Sequence, residues 1–353
     1  FTLKVPSFRA TKDVNIKADI VEEIGRIYGY DNIPDKPFLT EAIPPKYNRE
    51  RVFERDLKNK FANRYGFSEV YNYSFVSEDD IIKFNENPES YLGLKNALSS
   101  DYTKIRRHLF ISAIKSAVVN LKNETNGKFF EVGRGYILEN KTKDNLATEV
   151  RFLMATQFCE NAEKSKEAFY NLKNVAFDYF ETAGLSGISF VVPQIIPEIS
   201  HPLRIGEFAR GKEVFGKIIE LNPKLLQKFD VTSRIVCLEL NLSAIFAVKK
   251  SQAKFTELPK YPYSSFEATV VVDKKVFVQN ILEVAKKAAK KLFKDIELIT
   301  IFEGNQLPEG KKAVSFEITL GVDDRTLNST EIDSAFNEII ASLEKSGYPL
   351  RGR

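Results

Sequence analysis

The chain has 353 residues, which corresponds to two or three domains at about 150 residues each. Hydrophobic residues make up 43% and charged residues 28%, as in ordinary globular proteins, and the formal net charge of +4 permits a nucleic-acid partner without requiring one. The two histidines and two cysteines are too scattered for a zinc-finger site, and no apolar run reaches the roughly 18 residues of a membrane helix. We therefore expect no membrane partner. Because the sequence opens at Phe1 without a methionine or a signal peptide, we interpret it as a fragment of a longer protein.

The first 40 residues predict a compact unit followed by a linker. Alternation predicts a strand over residues 1–5, and isoleucines at helical spacing predict a helix from Asp19 to Tyr30. Asp19 followed by Glu22 fits a helix N-cap with an acid three residues later. Gly29 predicts the end of this helix, and the proline-rich stretch 35–46 predicts the linker.

The middle region, about 47–248, contains helices and strands that do not alternate strictly. Its periodicity predicts helices over 49–65, 102–120 and 168–183, and strands over 70–77, 128–138, 150–158, 214–221 and 234–242. Such an order favours a largely antiparallel sheet with flanking helices, which is an α+β fold.

The last region follows a second break near 249–262, where Lys249, Lys250, Ser251 and Gln252 lead to two prolines. Its predicted elements are strand 266–272, helix 277–292, strand 296–302, strand 313–321, helix 331–343 and a short strand 348–350. The order is βαββαβ, the split unit of a ferredoxin-like domain.

Most catalytic signatures are missing from the sequence. There is no phosphate-binding loop, no G-x-G-x-x-G run and no nucleophile motif, and Gly133-Arg134-Gly135 is too short to count. For His108 and His201 a structural role is favoured over catalysis, and Cys159 and Cys237 are expected to be reduced core residues. We therefore predict no catalytic residue in this chain.

Four motifs, in one order along the chain, resemble the β subunit of bacterial phenylalanine–tRNA ligase. The first motif runs from Phe8 to Asp13 and continues from Asp19 to Pro34. The other three run from Gly66 to Phe75, from Phe129 to Arg134, and from Lys260 to Arg351. The resemblance spans essentially the whole chain and corresponds to the C-terminal half of that subunit.

The resemblance implies three parts. Residues 1–40 would be the C-terminal part of a winged-helix-like domain, 41–255 a catalytically silent class II synthetase-like core, and 256–353 a ferredoxin-fold anticodon-binding domain. It also implies a cytoplasmic α2β2 heterotetramer that attaches phenylalanine to tRNA(Phe) with ATP. This chain would support the catalytic α subunit and bind tRNA. The alternatives are a non-enzymatic RNA- or protein-interaction scaffold and a self-sufficient ligase.

An acidic cluster lies in the first region. Asp19, Glu22 and Glu23 are at positions i, i+3 and i+4 of the predicted helix, so that their side chains share one face, and Asp13 precedes them. Converging carboxylates repel one another unless basic side chains or a cation neutralise them. From spacing alone, helix capping by Asp19 and Glu22, with Glu23 facing water, is favoured over a metal site. The resemblance implies that Asp13, Asp19, Glu22 and Glu23 hold a Mg²⁺ shared with the α subunit, and oxygen ligands suit that ion.

The middle and last regions differ in their basic residues. A class II ligase site needs arginines that offset the negative charge of the phosphates. The strand around Cys237 has neither glycine nor arginine, and Glu131 places an acid in the central strand. The last region is rich in candidate RNA-binding cations. These are Lys286, Lys287, Lys290, Lys291, Arg325 and Arg351. The four lysines would form one helical stripe that contacts phosphates or simply faces solvent.

Overall fold

The computed structural model describes residues 1–139, 141–248, 255 and 257–351. The chain divides into two compact units, Phe1–Ser251 and Gln252–Arg353. The predicted break at Lys249–Gln252 lies outside the described residues. Among the described residues, none of the helices combines the length and the hydrophobicity that crossing a bilayer requires.

The helices occur in both units. They are α1 Lys17–Tyr28, α2 Arg49–Asn59, α3 Glu78–Lys83, α4 Phe110–Asn120, α5 Ala162–Thr182, α6 Pro223–Gln227, α7 Leu242–Ala247, α8 Val278–Ala289 and α9 Ser329–Lys345. A π-helical turn over Lys60–Arg64 continues α2.

The strands are named in chain order. They are β1 Ser68–Glu69, β2 Phe75–Val76, β3 Leu92–Gly93, β4 Lys104–Ile105, β5 Gly127–Ile137, β6 Thr148–Cys159, β7 Ser189–Val191, β8 Ser200–Arg210, β9 Glu213–Leu221, β10 Arg234–Asn241, β11 Ser264–Asp273, β12 Phe293–Phe302 and β13 Lys311–Leu320.

The first unit is built on a seven-stranded sheet of the described residues, in the order β1-β5-β6-β10-β9-β8-β7. All its pairings are antiparallel except β1 with β5. Alternate side chains of the strands enter two separate apolar cores. Residues of α2, α5 and α7 cover one face, and residues of α3, α4 and α6 cover the other. The predicted α+β sheet with flanking helices is confirmed.

The second unit has the predicted βαββαβ order. β11, β13 and β12 form one antiparallel sheet in that spatial order, and the last predicted strand is reduced to a bridge between Leu350 and Val270. α8 and α9 pack on one face of this sheet, where Phe316 and Ile318 are fully buried. The ferredoxin-like domain is therefore confirmed.

Several local predictions are wrong. Residues 1–5 form no strand, and of the strand predicted over 70–77 only β2 is regular. β8 was not predicted, because His201-Pro202 interrupts its pattern and its pairing with β9 shifts register between Ser200 and Ile205. Both cysteines do lie in the core, and burial raises the pKa of the Cys237 thiol to about 12.

The helix predicted over 102–120 begins only at Phe110, because a buried ion pair holds the preceding segment extended. Arg106 Nη1 lies 2.8 Å from Glu131 Oε1 in β5, and both side chains are 4% exposed. The backbone of Arg106 also bonds on both sides: its N–H donates to the Ser74 carbonyl at 2.8 Å, and its carbonyl accepts from the Tyr136 N–H at 3.1 Å. A helical segment could not make these contacts.

Two glycines of β5 leave space for this segment. A Cβ atom on Gly133 would lie 2.3 Å from Arg106 Nη2, and one on Gly135 would lie 2.1 Å from the backbone oxygen of Arg107. The Gly133-Arg134-Gly135 run is thus explained by close packing of two chain segments.

We expect Glu131→Gln to lower the free energy of unfolding by about 3–5 kcal/mol, because it leaves the buried Arg106 charge unpaired. The matched control is Glu149→Gln, which breaks the half-exposed pair with Arg134 (2.9 Å) and should change the free energy by about 1 kcal/mol or less. Urea denaturation of the whole chain, followed by circular dichroism, measures both. Equal losses in the two variants would contradict this account.

Candidate functional site

The acidic residues of the first region are held by arginines. Arg9 Nε lies 2.7 Å from Asp13 Oδ2, and Arg9 Nη2 lies 2.7 Å from Glu23 Oε1. Arg26 Nη2 contacts the other oxygen of Glu23 at 2.8 Å. These hydrogen bonds lower the pKa of Glu23 to about 2, with Arg9 as the larger cause. Arg9 therefore brings Asp13 and Glu23 together, and Arg9 and Arg26 balance their two negative charges.

Asp19 and Glu22 do not join this pair. α1 begins at Lys17, so the prediction of Asp19 as N-cap is wrong by three positions. Its Oδ2 instead accepts the backbone N–H groups of Asn15 and Ile16 at 2.7 and 2.8 Å, which lowers its pKa. Glu22 is exposed, and within the described residues its side chain forms no hydrogen bond or ion pair.

The predicted metal ligands, as arranged here, do not fit a metal ion. No group of three or more His, Cys, Asp or Glu side chains in the described part of the chain could hold one. Two of the four carboxylates already face guanidinium groups, and one caps backbone N–H groups. The magnesium site stays a prediction.

The central polar cluster of the large sheet was not predicted. Besides Arg106, Glu131 binds Asn72, whose Nδ2 donates to Glu131 Oε2 at 2.8 Å, and Asn72 Oδ1 accepts from Ser116 Oγ at 2.6 Å. Arg106 Nε also donates to the carbonyl of Arg134 at 3.0 Å. Only the adjacent glycines of β5 hinted at it in sequence. The cluster gives the Arg106 guanidinium two internal acceptors, the Glu131 carboxylate and the Arg134 carbonyl.

A second polar group lies beside the same sheet. The Glu86 carboxylate accepts a hydrogen bond from the Tyr91 hydroxyl at 2.5 Å, and its Oε1 lies 2.9 Å from His108 Nε2. A separate ion pair joins Lys217 Nζ to Glu239 Oε1 at 3.4 Å. Burial is the largest single influence on the pKa of Glu86 and raises it, but the hydrogen bonds from His108 and Tyr91, with the charges of His108 and Lys217, together outweigh burial, and the net shift is downward. These contacts give His108 a structural partner.

The predicted basic stripe of the second unit is divided. α8 ends at Ala289 and Lys290 has a φ of 51°, so Lys290 leaves the helical register and forms an ion pair with Glu338 of α9. Lys286 Nζ lies 4.9 Å from the ring of Phe293. Within the described residues, the side chains of Lys287 and Lys291 form no ion pair or hydrogen bond.

The two predicted arginines have different surroundings. Arg325 forms two hydrogen bonds with Glu331 at 2.7 and 2.8 Å, and Glu331 is also the acid of the α9 capping box with Asn328. The Arg351 guanidinium lies 6.0 Å from the ring of Phe302. Arg325 therefore has a structural role, whereas Arg351 is a planar cation beside an exposed aromatic ring.

The helix-free face of the small sheet is acidic at its centre. Glu267 pairs with Glu317, and Glu317 pairs with Glu297, so three glutamates lie in register across β11, β13 and β12. Like charges in this position repel phosphate groups. Any RNA contact is thus restricted to the Phe302 and Arg351 end of this face or to the lysines beside α8.

We expect the Glu23 carboxyl to titrate with a midpoint near 2, below its ordinary value of 4.5, because Arg9 and Arg26 donate to it. Since the folded-state pKa is the lower one, the stabilisation is complete above about pH 4.5 and is lost as the pH falls through 2. NMR of ¹³C-labelled glutamate measures the midpoint. Arg9→Met should move it toward 4.5; no movement would show that Arg9 does not hold this carboxylate.

Three family models match consecutive parts of the chain. The tRNA synthetase B5 domain matches residues 1–30, the phenylalanyl tRNA synthetase beta chain CLM domain matches 33–242, and the ferredoxin-fold anticodon binding domain matches 259–351. A solved pyrrolysyl-tRNA synthetase from Desulfitobacterium hafniense aligns over 65% of this chain and 75% of its own, with 15% identity and a TM-score of 0.45.

Two curated relatives are named phenylalanine–tRNA ligase beta subunit. The protein of Solibacter usitatus is 32% identical over 99% of this chain, and that of Rickettsia prowazekii is 32% identical over 96%. The chain spans 44% and 42% of the length of these relatives. Because the CLM model alone matches more than half of the sequence, the chain belongs to the phenylalanyl-tRNA synthetase beta chain family.

Proposed function

We propose that this chain takes part in the ATP-dependent attachment of phenylalanine to tRNA(Phe), as a supporting part of a β subunit. Its core would scaffold a separate catalytic α subunit, and its second unit would bind tRNA. The observation that carries this proposal is the buried Arg106–Glu131 pair in a chain of this family. An arginine whose side chain is 4% exposed and donates to the Glu131 carboxylate and the Arg134 carbonyl is not available for a nucleotide.

The packing of the large sheet supports the non-catalytic role. A ligase of this class needs an open sheet face with cations directed at the phosphates of its nucleotide. Here α4 covers the face that carries Glu131, and Phe110 and Ile114 are buried against it. Lys217 is occupied by Glu239 and lies 4.8 Å from the Phe110 ring. Chemistry would therefore fall to the α subunit.

The division of roles follows the three segments. Residues 1–40 would be the winged-helix-like part, 41–255 the silent core and 256–353 the anticodon-binding domain, within a cytoplasmic α2β2 assembly. If Mg²⁺ is bound by Asp13, Asp19, Glu22 and Glu23, the α subunit must complete the site. Arg9 would have to release Asp13 and Glu23 for these carboxylates to reach the ion.

The main test compares ATP–pyrophosphate exchange with subunit binding. This chain alone should give no phenylalanine-dependent exchange, because the described part of its large sheet offers no free arginine cradle. The full-length subunit that contains it should co-purify with the α subunit and restore aminoacylation. Exchange by the chain alone would instead identify a self-sufficient ligase. Absence of any complex with the α subunit would favour the plain interaction scaffold.

We expect Lys287→Ala with Lys291→Ala to weaken tRNA(Phe) binding uniformly and to reduce the slope of affinity against salt by up to about 2, one for each phosphate contact.

Arg351→Ala should weaken binding by about 1–3 kcal/mol through loss of stacking. Fluorescence anisotropy at several salt concentrations measures both effects. Lys345→Ala on α9 removes one cation, as Arg351→Ala does, and is the control; an effect there equal to that of Arg351→Ala, or to half the change in salt slope of the double variant, would argue against a defined site.

A further inference from the structure

The outer edge of β12 is unpaired in the second unit. Within the described residues the small sheet has the order β11-β13-β12, so β12 has a neighbouring strand on one side only. A strand in this position presents a row of free backbone N–H and C=O groups. Residues 297–301 are all exposed, with Leu298, Ile299 and Ile301 at 43%, 48% and 44%. We call residues 297–301 the open edge.

The open edge has little of the usual protection against pairing with another strand. Edge strands are commonly blocked by a lysine, a proline or another charged side chain, and the run from Leu298 to Ile301 contains none of these. Its pairing with β13 does shift between Leu298 and Thr300, so that Ile299 has no partner residue in β13. Such a bulge bends the strand and shortens the stretch that can pair, but it leaves the backbone accessible.

The two faces of the sheet differ in chemistry at the open edge. Leu298 and Ile301 pair with residues of β13 that are fully buried beneath α8 and α9, so both lie at the margin of the helix-covered face. Glu297 pairs with Glu317 and lies on the helix-free face. A strand added here would therefore meet apolar side chains on one face and carboxylates on the other.

The carboxylates beside the open edge lack cations. Within the described residues, the side chains of Glu297, Glu317 and Glu267 form no ion pair or hydrogen bond, although the three lie in register across the sheet. Lys294, the one lysine of β12, is already bound to Asp323. Like charges that oppose one another across strands destabilise the pairing. Cations supplied by a partner would remove this repulsion.

We propose that the open edge binds an extended basic segment of another protein, which adds to the small sheet as a further strand. Main-chain hydrogen bonds would supply the affinity of such a complex, and alternate side chains its specificity. Apolar residues of the segment would contact Leu298 and Ile301, and its lysines or arginines would lie beside Glu297. This inference goes beyond the proposed function and depends on neither tRNA nor the α subunit.

The charges favour this partner over RNA and over a second copy. The phosphates of RNA would be repelled by the same carboxylates that attract a basic segment. A second copy would bring another Glu297 and no unpaired cation of β12. The formal net charge of the whole chain is +4, so a basic peptide has no general attraction to it. Binding of such a peptide would thus report on a local acidic surface.

The test measures binding of a fluorescein-labelled synthetic peptide, in which valine and lysine alternate, to the whole chain by fluorescence anisotropy. Glu297→Lys should weaken binding by about tenfold or more, because it places a like charge beside the lysines of the peptide. Since Glu297 is exposed, the variant should keep its thermal midpoint. Glu344→Lys is the matched control, because Glu344 is exposed on α9 and its side chain has no ion pair within the described residues.

Two further measurements distinguish strand addition from general charge attraction. A peptide in which valine and glutamate alternate should not bind the native chain but should gain affinity for Glu297→Lys. Hydrogen exchange followed by mass spectrometry should show slower exchange of the amides in residues 297–301 when the valine–lysine peptide is bound. Exchange in α9 should not change, because strand addition engages only the backbone of the open edge.

Several results would overturn the proposal. These are no binding of the valine–lysine peptide, equal weakening by Glu297→Lys and Glu344→Lys, and slower exchange at places other than residues 297–301. Slower exchange of these residues with tRNA(Phe) would identify an RNA surface instead. Slower exchange that increases with the concentration of the chain alone would identify pairing with a second copy, and either result would also overturn the proposal.

Discussion

The ion pair between Arg106 and Glu131 is the constraint on which the architecture of the first unit depends. A charge buried to this degree must be paired and hydrogen-bonded, because desolvation would otherwise exceed any gain from packing. The pair therefore fixes the positions of three separate chain segments: β5, the stretch around β4, and the stretch between β1 and β2. Gly133 and Gly135 supply the space for the approach. Apolar packing then fills both faces of the sheet around this point.

Such a pair is a poor source of stability, since apolar residues of the same volume often serve equally well. Its effect here is on geometry. The guanidinium of Arg106 has acceptors in Glu131 and in the carbonyl of Arg134, so its orientation is set within the protein. In an enzyme that binds nucleotides, an arginine must keep free donors for phosphate oxygens. The same residue type thus has opposite roles according to whether its acceptors are internal.

The sequence predicted most of the regular structure and little of the polar chemistry. Alternation and helical spacing located β5, β6, β9, β10 and the whole βαββαβ order within a few residues, because these elements bury one face or both. They also located α5, apart from its first six residues. The failures lie where tertiary contacts override local pattern. Apolar residues near 105, 109 and 114 mimic one helix, but Arg106 must be extended to reach Glu131, which is 25 residues away in sequence.

The predicted sites remain predictions for a related reason. Spacing identified carboxylates on one side of α1, but it could not show that Arg9 reaches back to Asp13 and Glu23, or that Asp19 caps the helix from its third position. Likewise, the basic run after α8 suggested a single stripe. The positive φ of Lys290 redirects that residue to Glu338, and Arg325 is bound by Glu331. Charge patterns in a sequence do not reveal which charges are already paired.

The segment between β1 and β2 connects the interior of the first unit with its surface. In an extended chain successive side chains point in opposite directions, so a segment that sends Asn72 into the polar cluster must send Tyr71 and Tyr73 outward. Loss of the inward anchors would free the backbone that carries those rings. A buried polar cluster can therefore determine how rigidly the exposed aromatic groups of the same segment are held.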